Sequence, residues 1–161
     1  MKFLSVYLVC IWSLLRCVLG DVVVVTPEEG ATFSGSSGTV SIKVSWTDNG
    51  AYPPLEKFTM YTFVLEYGPN LQIVPVANLK KNVSPSDITV DDDGTYSYTV
   101  TFPSDTAGNG QFYIQVYAVD GSEGNTIHYS PRFFLTSMAG GTSFTYSDTI
   151  QPVGQTAINT D

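Results

Sequence analysis

The chain has 161 residues, room for one full-sized domain and not for two. Apolar residues make up 43% of it and charged residues only 14%, a balance that supports a buried core and argues against intrinsic disorder. Seven Lys and Arg against fifteen Asp and Glu give a net charge of −8, which repels phosphate backbones and anionic lipid and sets nucleic acid aside as a partner.

Residues 1–20 read as a secretory signal peptide. A basic start at Lys2 precedes an almost wholly apolar run over residues 3–15, and Cys17-Val18-Leu19-Gly20 supplies the expected cleavage region before Asp21. The run is shorter than the roughly 20 residues that cross a bilayer, and Arg16 interrupts it, so a membrane anchor is the lesser reading. Cleavage after Gly20 would remove both cysteines, Cys10 and Cys17, leaving five basic residues against fifteen acidic ones, a charge of −10. A secreted chain without thiols takes its stability from burial alone. No membrane span is expected after cleavage.

Past the leader, short segments alternate apolar and polar residues, the period of half-buried strands. About seven are predicted. The first is the Val-rich run 21–26, and in the second Val40, Ile42, Val44 and Trp46 alternate with Ser41, Lys43 and Ser45. The third spans 58–67 with Tyr61, Phe63 and Leu65 on one face, and a shorter fourth lies near 71–76. Tyr96, Tyr98, Val100 and Phe102 mark the fifth, Phe112, Ile114, Val116 and Ala118 the sixth, and 127–135 the seventh. Turn-formers separate them at 35–38, 48–50, 91–94, 107–110 and 120–122, and Ser84-Pro85-Ser86-Asp87 suits a single helical turn. Many short strands with regular turns predict an all-β, immunoglobulin- or fibronectin III-like antiparallel sandwich over residues 21–138, with Trp46 between its sheets. Residues 139–161, Ser/Thr/Gly-rich with isolated apolar residues, read as a tail or linker.

Catalytic machinery is not legible. His128, the one histidine, is expected as an edge or surface residue without a catalytic role, and no set of zinc ligands, nucleophile elbow, phosphate loop or dinucleotide fingerprint occurs. Asp91, Asp92 and Asp93 read as a solvated turn before a calcium site or a glycosidase pair, and Gly108-Asn109-Gly110 as a hairpin. No catalytic, cofactor-binding or metal-binding residue is assigned. Aromatic rings stack on pyranose faces, and although most here belong in the core, as Phe112 and Phe133 do, Tyr52, Tyr61, Tyr113, Tyr117 and Tyr129 are the candidate glycan contacts. Asn82-Val83-Ser84 fits the N-glycosylation acceptor pattern.

Several segments in order carry a family likeness. They are the stretch Asn49-Gly50-Ala51-Tyr52-Pro53-Pro54-Leu55-Glu56-Lys57, Tyr61-Thr62-Phe63, Tyr67-Gly68-Pro69-Asn70, Ser84-Pro85-Ser86-Asp87, Gly110-Gln111-Phe112-Tyr113-Ile114-Gln115-Val116-Tyr117, and Ile127-His128-Tyr129-Ser130-Pro131-Arg132-Phe133-Phe134-Leu135. Together they resemble the N-terminal region of the fungal cell-wall β-1,6-glucan synthesis family of the killer-toxin-resistance type. The resemblance implies a secreted, often glycosylated, non-catalytic factor located in the cell wall, with an immunoglobulin-like N-terminal domain. Its partners would be cell-wall β-glucan or wall-synthesis proteins. A wall-resident structural or adhesive carbohydrate-binding module is the alternative. The resemblance supplies no catalytic residue, and the family pattern has cysteines in the mature region that this chain lacks.

Overall fold

The structure is a computed structural model that describes residues 22–50, 53–121 and 124–152, and the backbone of 155–158. The leader expected at residues 1–20 lies outside the described residues. The smaller sheet consists of β1 (Val22–Thr26), β3 (Thr39–Asp48), β7 (Tyr96–Pro103) and β6 (Thr89–Val90), paired in the order β1-β3-β7-β6. In the larger sheet, β8 (Gly110–Asp120) pairs with β4 (Met60–Tyr67) on one edge, and β4 pairs with β5 (Val74–Val83). The other edge of β8 takes β9 (Gly124–Tyr129) and β10 (Phe133–Thr136), which in turn pair with β11 (Gln155–Ile158) and β2 (Thr32–Ser34). No α-helix occurs among the described residues; Pro85–Asp87 forms the expected single turn, capped by the Ser84 hydroxyl accepting from the Ser86 N–H.

Period-two patterning explains the layers. Val40, Ile42, Val44 and Trp46 face inward from β3, Val100 and Phe102 from β7, Tyr61, Phe63 and Leu65 from β4, and Phe112, Ile114, Val116 and Ala118 from β8. Trp46 is fully buried, its ring 5.3 Å from Tyr61 and 5.8 Å from Phe63, and Phe63 stacks on Tyr98 at 5.3 Å. Each fully buried Val, Ile, Leu or Phe among them contributes about 1.5–3 kcal/mol of burial free energy.

Four expectations need correction. Residues 127–135 form two strands because Pro131 has no N–H to donate: the ladder breaks after Tyr129, and the Ser130 hydroxyl accepts the Ile114 N–H that a carbonyl would otherwise take. The short strand near 71–76 is the longer β5, and Leu71 stands fully exposed in the turn before it. Gly108-Asn109-Gly110 is no hairpin, since β7 and β8 belong to different sheets and this segment crosses between them. His128 is buried rather than at the surface, because it shares the inward face of β9 with the partner register of Val116.

Candidate functional site

The outward face of the larger sheet should be wet, yet half of it is covered. Alternation directs Gln111, Tyr113, Gln115 and Tyr117 outward from β8, with Glu66 opposite Tyr113, Thr62 and Ile127 opposite Tyr117, and Tyr129 opposite Gln115. Residues 139–152, expected as the start of a tail, run back over this face as a strap.

The strap rounds the rim of the sandwich and then crosses the sheet. Phe144 packs on Phe112 at 5.1 Å and on Tyr67 at 4.6 Å, and its N–H donates to the Asn109 carbonyl. The Tyr146 N–H donates to the Tyr67 hydroxyl at 2.9 Å. Gln111 then treats Asp148 as a strand would: its Nε2 donates to the Asp148 carbonyl at 3.0 Å, and its Oε1 accepts the Asp148 N–H at 2.7 Å. Glycine makes this approach possible. A Cβ on Gly108 would lie 1.6 Å from the Thr142 carbonyl oxygen, one on Gly140 2.3 Å from the Ala107 carbonyl carbon, and one on Gly110 2.7 Å from Phe144.

Arg132 is the hub beneath the strap. The break at Ser130-Pro131 turns it onto the outward side just before Phe133 resumes the core. It is fully buried. Its Nη2 donates to the Gly68 carbonyl and to Asn70 Oδ1, both at 2.9 Å, and its Nε to the Ile150 carbonyl at 3.0 Å. Its backbone N–H donates to Gln151 Oε1 at 2.8 Å, and Asn70 Nδ2 returns to the Gln151 carbonyl at 2.7 Å. The guanidinium lies 4.7 Å from the centre of the Tyr113 ring and 5.8 Å from that of Tyr146, cation–π distances.

Three buried polar atoms surround the Tyr113 ring without a hydrogen-bond partner among the described residues: Glu66 Oε2, the Tyr113 hydroxyl and Arg132 Nη1. Glu66 is 2% exposed, and burial pushes its carboxyl from 4.5 up to about 7. Burial, and next the Glu66 charge, raise the Tyr113 phenol above its usual range and lift Tyr129 to about 12. Tyr129 stands edge-on to Tyr113 at 5.6 Å. In the strap, the Asp148 carboxylate accepts the Ile150 N–H and the Tyr146 hydroxyl; these two bonds hold Asp148 below the usual carboxylate range, and the second raises Tyr146.

The structure thus brings together three of the five candidate tyrosines, Tyr113, Tyr117 and Tyr129, on one face. Tyr117 and Tyr129 are half-buried, with part of each ring open, whereas Tyr113 is fully buried. Tyr61 is a correction: it faces the inter-sheet core at 1% exposure and offers no ring to solvent. Tyr52 lies outside the described residues. Asn82 is exposed on β5 in the left-handed region, at φ 56°, beside an irregularity in its pairing with β4. Asp91, Asp92 and Asp93 are exposed; the Asp93 carboxylate accepts the Thr95 N–H, which lowers its pKa, and Asp91 lies 3.8 Å from Lys43. Among the described residues no three His, Cys, Asp or Glu side chains gather closely enough to hold a metal, and no helix is long and apolar enough to cross a membrane. Sequence reasoning missed Glu66, Gln111, Arg132, Tyr146 and Asp148. The signals were there in Gly108, Gly110 and Gly140, glycines marking close backbone approach, and in the lone buried-type cation after Pro131.

Residues 26–135 match the profile of the Kre9/KNH-like N-terminal Ig-like domain. The chain is 54% identical over 147 residues to the cell wall synthesis protein KRE9 of Saccharomyces cerevisiae, an alignment covering 91% of this chain and 53% of that protein. The KRE9 protein of Candida glabrata is 51% identical over 151 residues, covering 92% of this chain and 55% of its own. The cell wall synthesis protein KNH1 of S. cerevisiae is 33% identical over 161 residues, 98% of this chain and 56% of that one. The chain therefore spans about half the length of the curated relatives it matches. A β-sandwich whose residues 26–135 fit that profile, with such relatives over most of its length, belongs to the Kre9/KNH family, of which it carries the N-terminal Ig-like domain.

Proposed function

We propose that this protein is a secreted, non-catalytic factor of fungal cell-wall synthesis, acting in β-1,6-glucan assembly by docking on wall glucan or on a wall-synthesis protein. The observation that carries the reading is the part of the larger sheet's outward face that the strap leaves uncovered, where half-buried Tyr117 and Tyr129 flank Gln115. Tyrosine rings supply apolar platforms for pyranose faces, and the amide supplies hydrogen bonds for hydroxyls. The names of the relatives, cell wall synthesis proteins, support the setting. Exposed Asn82 is the N-glycan acceptor of the secreted form.

The test is retention of the full chain on purified alkali-insoluble β-1,6-glucan, β-1,3-glucan and mannan, beside the wall β-1,6-glucan content of a deletion strain. Selective retention on β-1,6-glucan that falls about tenfold in Tyr117→Ala, the loss of a ring contact worth about 1.4 kcal/mol, is the expected result. No retention on any of the three, with unchanged β-1,6-glucan in the deletion strain, would refute it.

A further inference from the structure

We propose that the free edge of β1 is a docking site for an extended segment of a partner protein, which adds a strand to the smaller sheet and carries alternating β-branched residues between basic flanks. The site lies on the smaller sheet, so it stands or falls apart from the tyrosine face of the larger one.

Among the described residues β1 pairs with β3 alone and closes the order β1-β3-β7-β6. In an antiparallel pair, residues that exchange both backbone bonds with the neighbour alternate with residues whose N–H and C=O point the other way. The outer rim of β1 therefore presents main-chain donors and acceptors that no described strand takes up. Such a rim is a template for a further strand, and proteins guard it with Lys, Pro, bulges or brevity. The guards are in place elsewhere. β5 carries Pro75, Lys80 and Lys81 and three register shifts against β4, and β6 and β2 are only two and three residues long. β1 has neither a charge nor a proline in its five residues, Val-Val-Val-Val-Thr, and Val22 to Val24 keep register with β3 before the single shift ahead of Thr26.

The side chains along the rim select its occupant. Val23 and Val25, 48% and 45% exposed, stand on the solvent side of β1, and Val22 and Val24 are buried on the core side. Valine pairs best across strands with β-branched or aromatic neighbours. Charge sets the flanks. Asp48, the register partner of Val22, is exposed at one end of the rim, and Glu28 and Glu29 are exposed just past the other. Lys43, the one cation on β3, pairs with Asp91 at 3.8 Å. Basic residues at both ends of the incoming strand would meet these acids. A second copy of the chain is the poorer occupant: antiparallel pairing of β1 with β1 brings Glu28 and Glu29 of each copy toward Asp48 of the other, and each chain carries a net charge of −8.

The probe is a short capped peptide alternating Val and Thr between paired lysines, added to the full chain and followed by amide hydrogen exchange. Alternate amides of β1 that exchange freely without the peptide should gain about tenfold or more protection with it, while those of β5 do not change. Replacing the flanking lysines by glutamates should weaken binding about tenfold. Methylating every Val and Thr backbone nitrogen of the peptide, which removes its donors and keeps its side chains, should abolish binding. In the chain, Val23→Lys installs at an exposed position the guard that β1 lacks; it should leave the β3–β7 ladder protected and lose the peptide, whereas Tyr117→Ala should bind it as the wild type does. β1 amides that are all protected without peptide, or that gain no protection with it, overturn the proposal. Equal binding of the methylated or glutamate-flanked peptide does so too. Protection of β1 that grows with the concentration of the chain alone assigns the rim to a second copy and likewise overturns it.

Discussion

The two faces of the larger sheet are buried by different physics. Inward, Tyr61, Phe63, Leu65, Phe112 and Ile114 meet the smaller sheet through apolar contact that any ring or branched chain of about the right size can make. Outward, Gln111 and Arg132 are buried through directional bonds to residues far along the chain: Gln111 to Asp148, Arg132 to Gly68, Asn70 and Ile150. Buried polar atoms without a hydrogen-bond partner among the described residues occur on both sides, Trp46 Nε1, Asp120 Oδ2 and Thr126 Oγ1 inward, and Glu66 Oε2, the Tyr113 hydroxyl and Arg132 Nη1 outward. Apolar burial sets how stable the sandwich is. Polar burial sets what its stability responds to.

That contrast can be broken at three points. Removing the central inner ring by Trp46→Ala should cost about 3–5 kcal/mol, read as a shift in urea midpoint by far-ultraviolet circular dichroism at any pH. A loss of under about 1 kcal/mol would mean that the inter-sheet layer is not the main source of stability. The outer layer should instead show itself through pH. Glu66 has its folded pKa raised from 4.5 to about 7, so the folded state holds a proton that the unfolded chain gives up. Its contribution is present in full below pH 4.5, declines as pH rises across the interval to 7, and is gone above it. The sum is about 3 kcal/mol at 1.36 kcal/mol per pKa unit. The difference in unfolding free energy between wild type and Glu66→Gln, measured from pH 4.5 to 8, should carry this whole slope; a difference independent of pH would remove Glu66 from the account. The smallest effects compare two glycines of one region. Gly108→Ala drives a methyl group into the Thr142 carbonyl and should cost about 1–3 kcal/mol, with protease cleavage within the strap, as overpacking does. Gly141→Ala, whose Cβ would meet nothing within 4 Å, should stay within about 0.5 kcal/mol of wild type.

Legibility followed the same divide. The alternation of Val40, Ile42, Val44 and Trp46 predicted β3 and its inward face, and Ser84-Pro85-Ser86-Asp87 predicted the turn at Pro85–Asp87. Tyr113, Tyr117 and Tyr129 emerge on one face because their spacing keeps strand parity within and across the β8–β9 pair, but which of them stays open depends on a strap that parity does not describe. Phe144 and Tyr146 looked isolated because their partners, Phe112 and Tyr67, lie tens of residues earlier. The likeness carried by Tyr67-Gly68-Pro69-Asn70 and by the segment containing Arg132 gains a physical meaning here: the two meet, one as the cradle and the other as the cation.

What the order of residues determined by itself was the material of the sandwich: period-two strands, turn chemistry, an apolar inner layer and an acidic exterior. These follow from local sterics and from burial, which have no preferred partner. Only the tertiary structure decided that Pro131 splits a strand and turns Arg132 outward, and that residues 139–152 close over the sheet. Each of those depends on a hydrogen bond between groups distant in the chain, and a directional bond exists only once both ends have been brought to the same place.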